Sequence, residues 1–416
     1  LDPDSPRHAE AAARGYLVAD GTGKPASLAG ITADGRPRAL VDFSNPAARA
    51  WWQDLHRELL ALGVAVFTTD FGEGLPEDAV MADGRPGRAW RNLYPLWYNR
   101  TVAEVTREAT GGPGLVWGRS GWAGSQRYPG QWGGDPESSV AGMAATLRAG
   151  LSWAVSAPGL WGHDIGGFSG AGPTPELYVR WAQWGCLSPL TRFHGIGRRE
   201  PWAFGERALG IVRDFAALRY RLLPYLDHLA GEAARWGWPV LRPLALEHPG
   251  DRGSWGLAHQ YLLGADLLVV PVLDDGPGPV RVPCYLPPGT WVDWWSGEAR
   301  YGPGWVVEEV PLERLPLFVR GGAVVPLGPD AQHTGEAPAE APWTLHAYPD
   351  PGRPARETEL LDGGTVWHAR PVLADDGGIR AVALAGTGGE APGRRAVAAV
   401  VHLPGARLAE VPVVGA

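Results

Sequence analysis

The sequence predicts an α/β fold with a parallel sheet, followed by antiparallel β domains. Three observations carry this. Short apolar runs alternate with helical patterns through the first half of the 416-residue chain. After about Trp238 the texture changes to strand-like runs divided by turn signals. The composition, 45% hydrophobic and 20% charged, is that of a globular chain long enough to bury a large core.

The first helix start is Asn45-Pro46, a capping side chain followed by proline at the first helical position. Trp51, Trp52, Leu55, Leu59 and Leu62 then recur at the spacing of one helical face, and Gly63 is a stop. Val64 to Thr69 reads as a buried strand. A helix from about Pro95 to Ala109 precedes a strand at Leu115 to Trp117. Further helices are expected over about Glu137–Gly150, Pro175–Trp184 and Arg207–Arg235, with strands at Gly159–Trp161 and Leu187–Phe193. Repeated β-then-α units imply parallel pairing with right-handed crossovers. Beyond Trp238, strands are expected at Leu267–Val272, Val280–Leu286 and Thr290–Trp295. Pro287-Pro288-Gly289 and Ser296-Gly297 are read as turns between them. Trp343–Ala347, Arg380–Leu384 and Ala396–His402 are strand runs of a smaller terminal β domain.

Charge and motifs exclude several function classes. The formal net charge is −8, and no basic block marks a nucleic-acid or anionic-membrane partner. Cys186 and Cys284 lie far apart, so neither a disulfide framework nor a zinc knuckle is expected. No HExxH or nucleotide-binding loop is present, and no metal or cofactor is expected. The apolar runs are too short to span a bilayer. Leu1-Asp2-Pro3-Asp4 has no signal-peptide features, and a cytoplasmic location is expected. A homo-oligomer stays open. The 21 tryptophans suit either a thick aromatic core or flat faces for sugars.

Polar residues gather just after the apolar strands. Asp70 and Glu73 follow Val64–Thr69, and Arg119 follows Leu115–Trp117. Asp135 ends Gln131-Trp132-Gly133-Gly134-Asp135. His163 and Asp164 follow Gly159–Trp161, and His194 follows Leu190–Phe193. In a parallel barrel, strand C-termini share one face, so such side chains converge. Each also has a structural reading: caps and turns for the aspartates, an ion pair for Arg119, core for His194, Trp132 and Trp161, an exposed loop for Glu73. Together, carboxylates, an arginine, a histidine and flanking tryptophans suggest carbohydrate chemistry. Glycoside hydrolysis needs two carboxyl groups.

These stretches closely resemble glycoside hydrolase family 31, the retaining α-glucosidases, α-xylosidases and relatives. Phe67-Thr68-Thr69-Asp70-Phe71-Gly72-Glu73 is similar to the nucleophile segment of its α-xylosidase-like branch. Arg119 through Ser125-Gln126 and Tyr128-Pro129 to Asp135 is similar to the acid/base segment. Gly162-His163-Asp164-Ile165-Gly166-Gly167-Phe168 and Arg192-Phe193-His194-Gly195 resemble two sugar-binding segments. The likeness runs roughly from Val41 to Leu327.

The resemblance implies a (β/α)8 TIM barrel followed by C-terminal β-sandwich domains. Its parts would be a partial catalytic barrel over 1–238, a proximal β-sandwich over 239–326 and a distal β domain over 327–416. Asp70 would be the nucleophile, and Asp135 the general acid and then the general base. Arg119, Asp164 and His194 would hydrogen-bond sugar hydroxyls, Trp132, Trp161 and Phe168 would line the sugar subsite, and Glu73 would support it. The implied partner is an α-glycoside or oligosaccharide. Thr68 stands where the α-xylosidase-like branch commonly has lysine. Ala39–Phe43 looks like the third barrel strand, so N-terminal strands are expected to be missing. Unpaired edges and an exposed core would then follow, and the chain by itself is not expected to be an active, well-behaved monomer. The expected activity is retaining, exo-acting α-glycoside hydrolysis. An α-glucosyltransferase, a sulfoquinovosidase and an inactive carbohydrate-binding remnant are the alternatives.

Overall fold

The computed structural model describes residues 1–28, 36–128, 130–156, 159–336, 341–348, 350, 357–362, 365–373, 379–387, 396–403 and 407–415. Pro129, within the acid/base segment, lies outside them. Two compact units divide the chain, Leu1–Trp132 and Gly133–Ala416, and the division falls inside the segment 1–238.

In the first unit, Asn45 caps the helix Pro46–Leu60 by accepting from the Ala47 amide, with Pro46 in the first turn. Trp51 is buried and Trp52 and Leu55 pack beside it, but Leu59 and Leu62 are exposed. The apolar spacing therefore marks a face whose last turn stays in solvent. The following strand is shorter than expected, Phe67–Thr69, and Val66 is exposed. It pairs in parallel with Val116–Gly118, which pairs in parallel with Gly130–Trp132. The helix Leu93–Thr110 connects the first two of these strands, the crossover that parallel pairing needs. Phe43, Trp51, Trp90 and Tyr94 form the core, with Phe43 stacked on Tyr98 at 5.2 Å.

The second unit begins with the helix Val140–Ser156 and the strands Leu160–Gly162 and Asp164–Ile165. Asp164–Ile165 pairs in parallel with Arg192–Phe193. Between these two strands runs the helix Pro175–Cys186, buried from Leu177 onward. Arg180 within it is fully buried and donates to the carbonyls of Pro311 (2.9 Å) and Arg314 (2.8 Å). The single helix expected over Arg207–Arg235 is two, Glu206–Arg221 and Leu223–Trp236. Pro224 explains the break: it lacks an N–H and clashes with the preceding turn, so it fits only the first turn of a new helix.

A six-stranded antiparallel sheet follows, and its two longest strands are Val280–Asp293 and Ala299–Val310. Val280–Asp293 replaces the two strands expected on either side of Pro287-Pro288-Gly289. The prolines sit instead at a register shift between Leu286 and Gly289, where an unpaired residue needs no ladder hydrogen bond. Ser296-Gly297 is a turn, as read: Asp293 Oδ1 accepts from the amides of Trp295 (3.0 Å) and Ser296 (2.6 Å). Two further four-stranded sheets contribute Trp343, Leu345, Leu360, Trp367, Val382 and Val401 to one core. No helix among the described residues is long and apolar enough to cross a membrane.

Candidate active site

Each unit presents one group of the expected site residues. In the first, strand register does the placing. Thr69 pairs with Gly118, so the residues that follow, Asp70 and Arg119, leave the sheet side by side. Arg119 Nη1 lies 3.0 Å from Asp70 Oδ1, and Nη2 lies 2.5 Å from Glu73 Oε1. Arg119 is largely buried, whereas about half of each carboxylate side chain is exposed. The Phe71 amide also donates to Asp70 Oδ1, at 2.8 Å. The amide hydrogen bond and the guanidinium ion pair thus fall on one carboxylate oxygen.

The turn behind Asp70 is strained. Phe71 has φ +59°, the one positive φ on a non-glycine among the described residues. A bulky residue there costs roughly 1–2 kcal/mol. Two contacts hold it: Ser120 Oγ donates to the Phe71 carbonyl at 2.5 Å, and the Arg119 guanidinium lies 4.0 Å above the Phe71 ring. Behind the strands, the buried Asn99 accepts from Thr69 Oγ1 at 2.6 Å and donates to the Ser120 carbonyl at 3.1 Å. Gly118 must be glycine for this, because a Cβ would come within 2.8 Å of the Asn99 amide. Asp70 and Phe71 border a cavity of about 350 Å³ whose walls include Phe43, Trp52, Tyr94 and Tyr98. Trp132 ends its strand buried.

In the second unit, Asp164 is completely buried and accepts from Arg192 Nε at 2.7 Å. Burial raises its pKa, Arg192 and His194 pull it back, and the Asp135 charge adds to the rise. Its Oδ2 is buried with no hydrogen-bond partner. Asp135 follows Gly134, a left-handed glycine at φ +76°. His194 is exposed, 5.6 Å from the half-buried Phe168 ring, and lines a pocket of about 360 Å³ with Glu200 and Trp202.

Trp161 lies in the core of this unit. A Cβ on Gly150 would come within 2.6 Å of its ring, and one on Gly133 within 3.0 Å. Beside it, His163 is stacked on Trp184 at 3.8 Å. The Trp181 indole donates to His163 Nδ1 at 3.0 Å, and an indole N–H is a donor only. The His163 proton is therefore on Nε2, facing Ser188 Oγ at 3.1 Å. Burial pushes the His163 pKa down to about 3. The ring is a neutral brace under the Asp164 strand.

Three residues escaped sequence reasoning as site components. Asn99 carries no local signal, being one polar residue in a long helix. Arg192 stood within a recognised segment, yet nothing in the residues marked it as the partner of Asp164. Arg199 sits in the charged run Arg198-Arg199-Glu200 and reads as surface, but is 5% exposed. Among the described residues, no group of three or more His, Cys, Asp or Glu could hold a metal ion.

Comparisons with known proteins agree on one family. Residues 1–229 match the model of the glycosyl hydrolases family 31 TIM-barrel domain, and residues 237–325 match that of the family 31 C-terminal domain. An α-xylosidase of Emericella nidulans is 38% identical over 301 residues, covering 70% of this chain and 38% of the relative. Alpha-glucosidase 2 of Bacillus thermoamyloliquefaciens is 34% identical over 342 residues, covering 78% of this chain and 43% of the relative. The solved cycloalternan-forming enzyme of Listeria monocytogenes, in complex with a pentasaccharide substrate, superposes with TM-score 0.76 at 28% identity. It covers 88% of this chain, which covers 38% of it. The chain thus spans about two fifths of the length of these relatives. With the barrel-domain match covering more than half of its residues, the chain belongs to glycoside hydrolase family 31.

Proposed function

We propose that this chain carries the catalytic machinery of a retaining, exo-acting α-glycoside hydrolase of the α-glucosidase or α-xylosidase type. The carrying observation is the Asp70 carboxylate, fixed at a strand end by the Phe71 amide and the Arg119 guanidinium, both on Oδ1. That grip orients Oδ2 as the attacking oxygen. In the first step Oδ2 bonds to the anomeric carbon, the glycosidic C–O bond breaks, and Asp135 gives its proton to the departing oxygen. In the second, Asp135 takes a proton from water, the water oxygen bonds to the anomeric carbon, and Asp70 leaves as carboxylate. Two inversions leave the anomeric configuration unchanged.

The buried Asp164, with Oδ2 unpartnered, suits a sugar hydroxyl as donor. Arg119, His194 and Phe168 would complete hydroxyl recognition and the wall beside it. Trp132 and Trp161, both buried, would act as rigid backing. Glu73 would hold Arg119 in place. The catalytic part is assigned to residues 1–238, with a proximal β-sandwich over 239–326 and a distal β domain over 327–416.

The test is the stereochemical course. An aryl α-glucoside or α-xyloside, followed by NMR in the first minutes, should release the α-anomer first. Initial release of the β-anomer would overturn the mechanism. Transglycosylation is the second reading, favoured by the likeness to the cycloalternan-forming enzyme. It uses the same residues, with a sugar hydroxyl replacing water, and products larger than the substrate would reveal it.

A further inference from the structure

We propose that Arg199 is the positioning residue that holds the three loops bearing Asp135, Asp164 and His194 in one register. Its consequence for turnover rests on the hydrolase reading above; the clamp itself rests on geometry alone.

One guanidinium reaches all three loops. Arg199 Nε and Nη2 donate to the Gly167 carbonyl at 3.0 and 2.8 Å, three residues beyond Asp164. Nη2 also donates to Ser138 Oγ at 3.1 Å, three residues beyond Asp135. Gly195, next to His194, packs on the guanidinium so closely that a Cβ would lie 2.8 Å from Nε. Nη1 turns back to the Arg198 carbonyl at 2.8 Å, and Tyr178 OH anchors the Arg199 carbonyl at 2.6 Å.

The loops are also tied to one another. The Phe168 amide donates to the Pro136 carbonyl at 2.7 Å, and the Ile196 amide to the Phe168 carbonyl at 2.8 Å. Gly166 and Gly167 have φ +87° and +78°, and a Cβ on Gly167 would meet Ser138 Cα at 2.6 Å. The three segments therefore share one tight seam with Arg199 at its centre.

The chemistry of the clamp argues against a plain ion pair. Every hydrogen-bond partner of this guanidinium is a neutral oxygen. A buried cation on neutral acceptors is expensive, so it is kept where its fixed fork does something a hydrophobic side chain could not. Bridging a carbonyl and a hydroxyl on separate loops is such a task. An ammonium, a single point on a flexible stem, could take the place of Nη2 but not of the paired Nε and Nη2 grip on the Gly167 carbonyl with Nη1 held on the Arg198 carbonyl.

The experiment uses the full chain with Arg199→Met, and Arg199→Lys as a second variant that keeps the charge if the first does not fold. Hydrogen exchange is read on residues 134–139, 166–169 and 194–197. All three should exchange faster together, on the order of tenfold, while the amides of Pro175–Cys186 stay as in the parent. Turnover supplies a readout that a loss of folded protein would not move. Phenyl α-glycosides, which need the Asp135 proton, should lose about 100-fold in kcat/KM, and dinitrophenyl glycosides less than about tenfold. An equal loss for both leaving groups, or faster exchange in one loop only, would overturn the proposal. Should the parent chain, which spans about two fifths of its relatives' length, turn over neither glycoside, the exchange data alone decide the clamp, and the hydrolase reading is tested separately by the stereochemical course above.

Discussion

Arg119 Nη1 sits 3.0 Å from Asp70 Oδ1, and the pairing is a product of sheet register. Two parallel strands end level at Thr69 and Gly118, so the next residue of each must diverge from the sheet at the same height. The second arm of the guanidinium goes to Glu73, so one cation meets two carboxylates at fixed angles. A planar, two-armed donor is needed for that, and lysine cannot supply it.

Arg119→Lys should therefore keep the charge and lose the orientation. We expect kcat on an aryl α-glycoside to fall at least about tenfold, with the melting temperature within a few degrees of the parent. Parent-like kcat would show that Arg119 serves only as a counter-charge.

Asn99 acts one layer deeper. Asn99→Ala leaves the Thr69 hydroxyl and the Ser120 carbonyl without their buried partner. The expected cost is roughly 1–3 kcal/mol of stability, because buried polar groups lose their bonds and gain no water. A chemical-denaturation midpoint measures it. Asn99→Asp keeps the acceptor for Thr69 but turns a buried carboxylate oxygen toward the Ser120 carbonyl, so at neutral pH it should be at least as destabilising as Asn99→Ala.

His163 makes stability depend on pH. Its folded pKa is pushed down to about 3 from the ordinary 6.5, so the unfolded chain takes up a proton first as pH falls. This contribution is complete above about pH 6.5 and drains away as pH falls toward about 3. His346 and His402, pushed down to about 3 and about 4, add the same slope. Urea midpoints for His163→Gln should be lower at pH 7 and decline less steeply down to pH 4. An unchanged slope would show that the ring is not held neutral.

The side-by-side placement of Asp70 and Arg119 was legible in the sequence because each follows an apolar strand run, and neighbouring strand ends in a parallel sheet share a side. What stayed hidden is what non-local packing decides. Phe71 adopts a positive φ because Ser120 and Arg119 hold it, and neither is near it in sequence. Arg199 looks like surface charge until the loops around Gly167 and Ser138 close on it. Pro287-Pro288-Gly289 has the composition of a turn, yet two long strands run past it through a bulge. Trp161 matches a motif, and its burial against Gly150 comes from tertiary fit alone.

The central claim is that Asp70 is the nucleophile, and Asp70→Ala with added azide tests it most directly. The variant should lose hydrolysis of an aryl α-glycoside. Azide, small enough to enter the space the carboxylate leaves, should restore turnover and give a β-glycosyl azide, inverted by a single displacement. Parent-like hydrolysis by Asp70→Ala would contradict the assignment, as would an α-configured azide product.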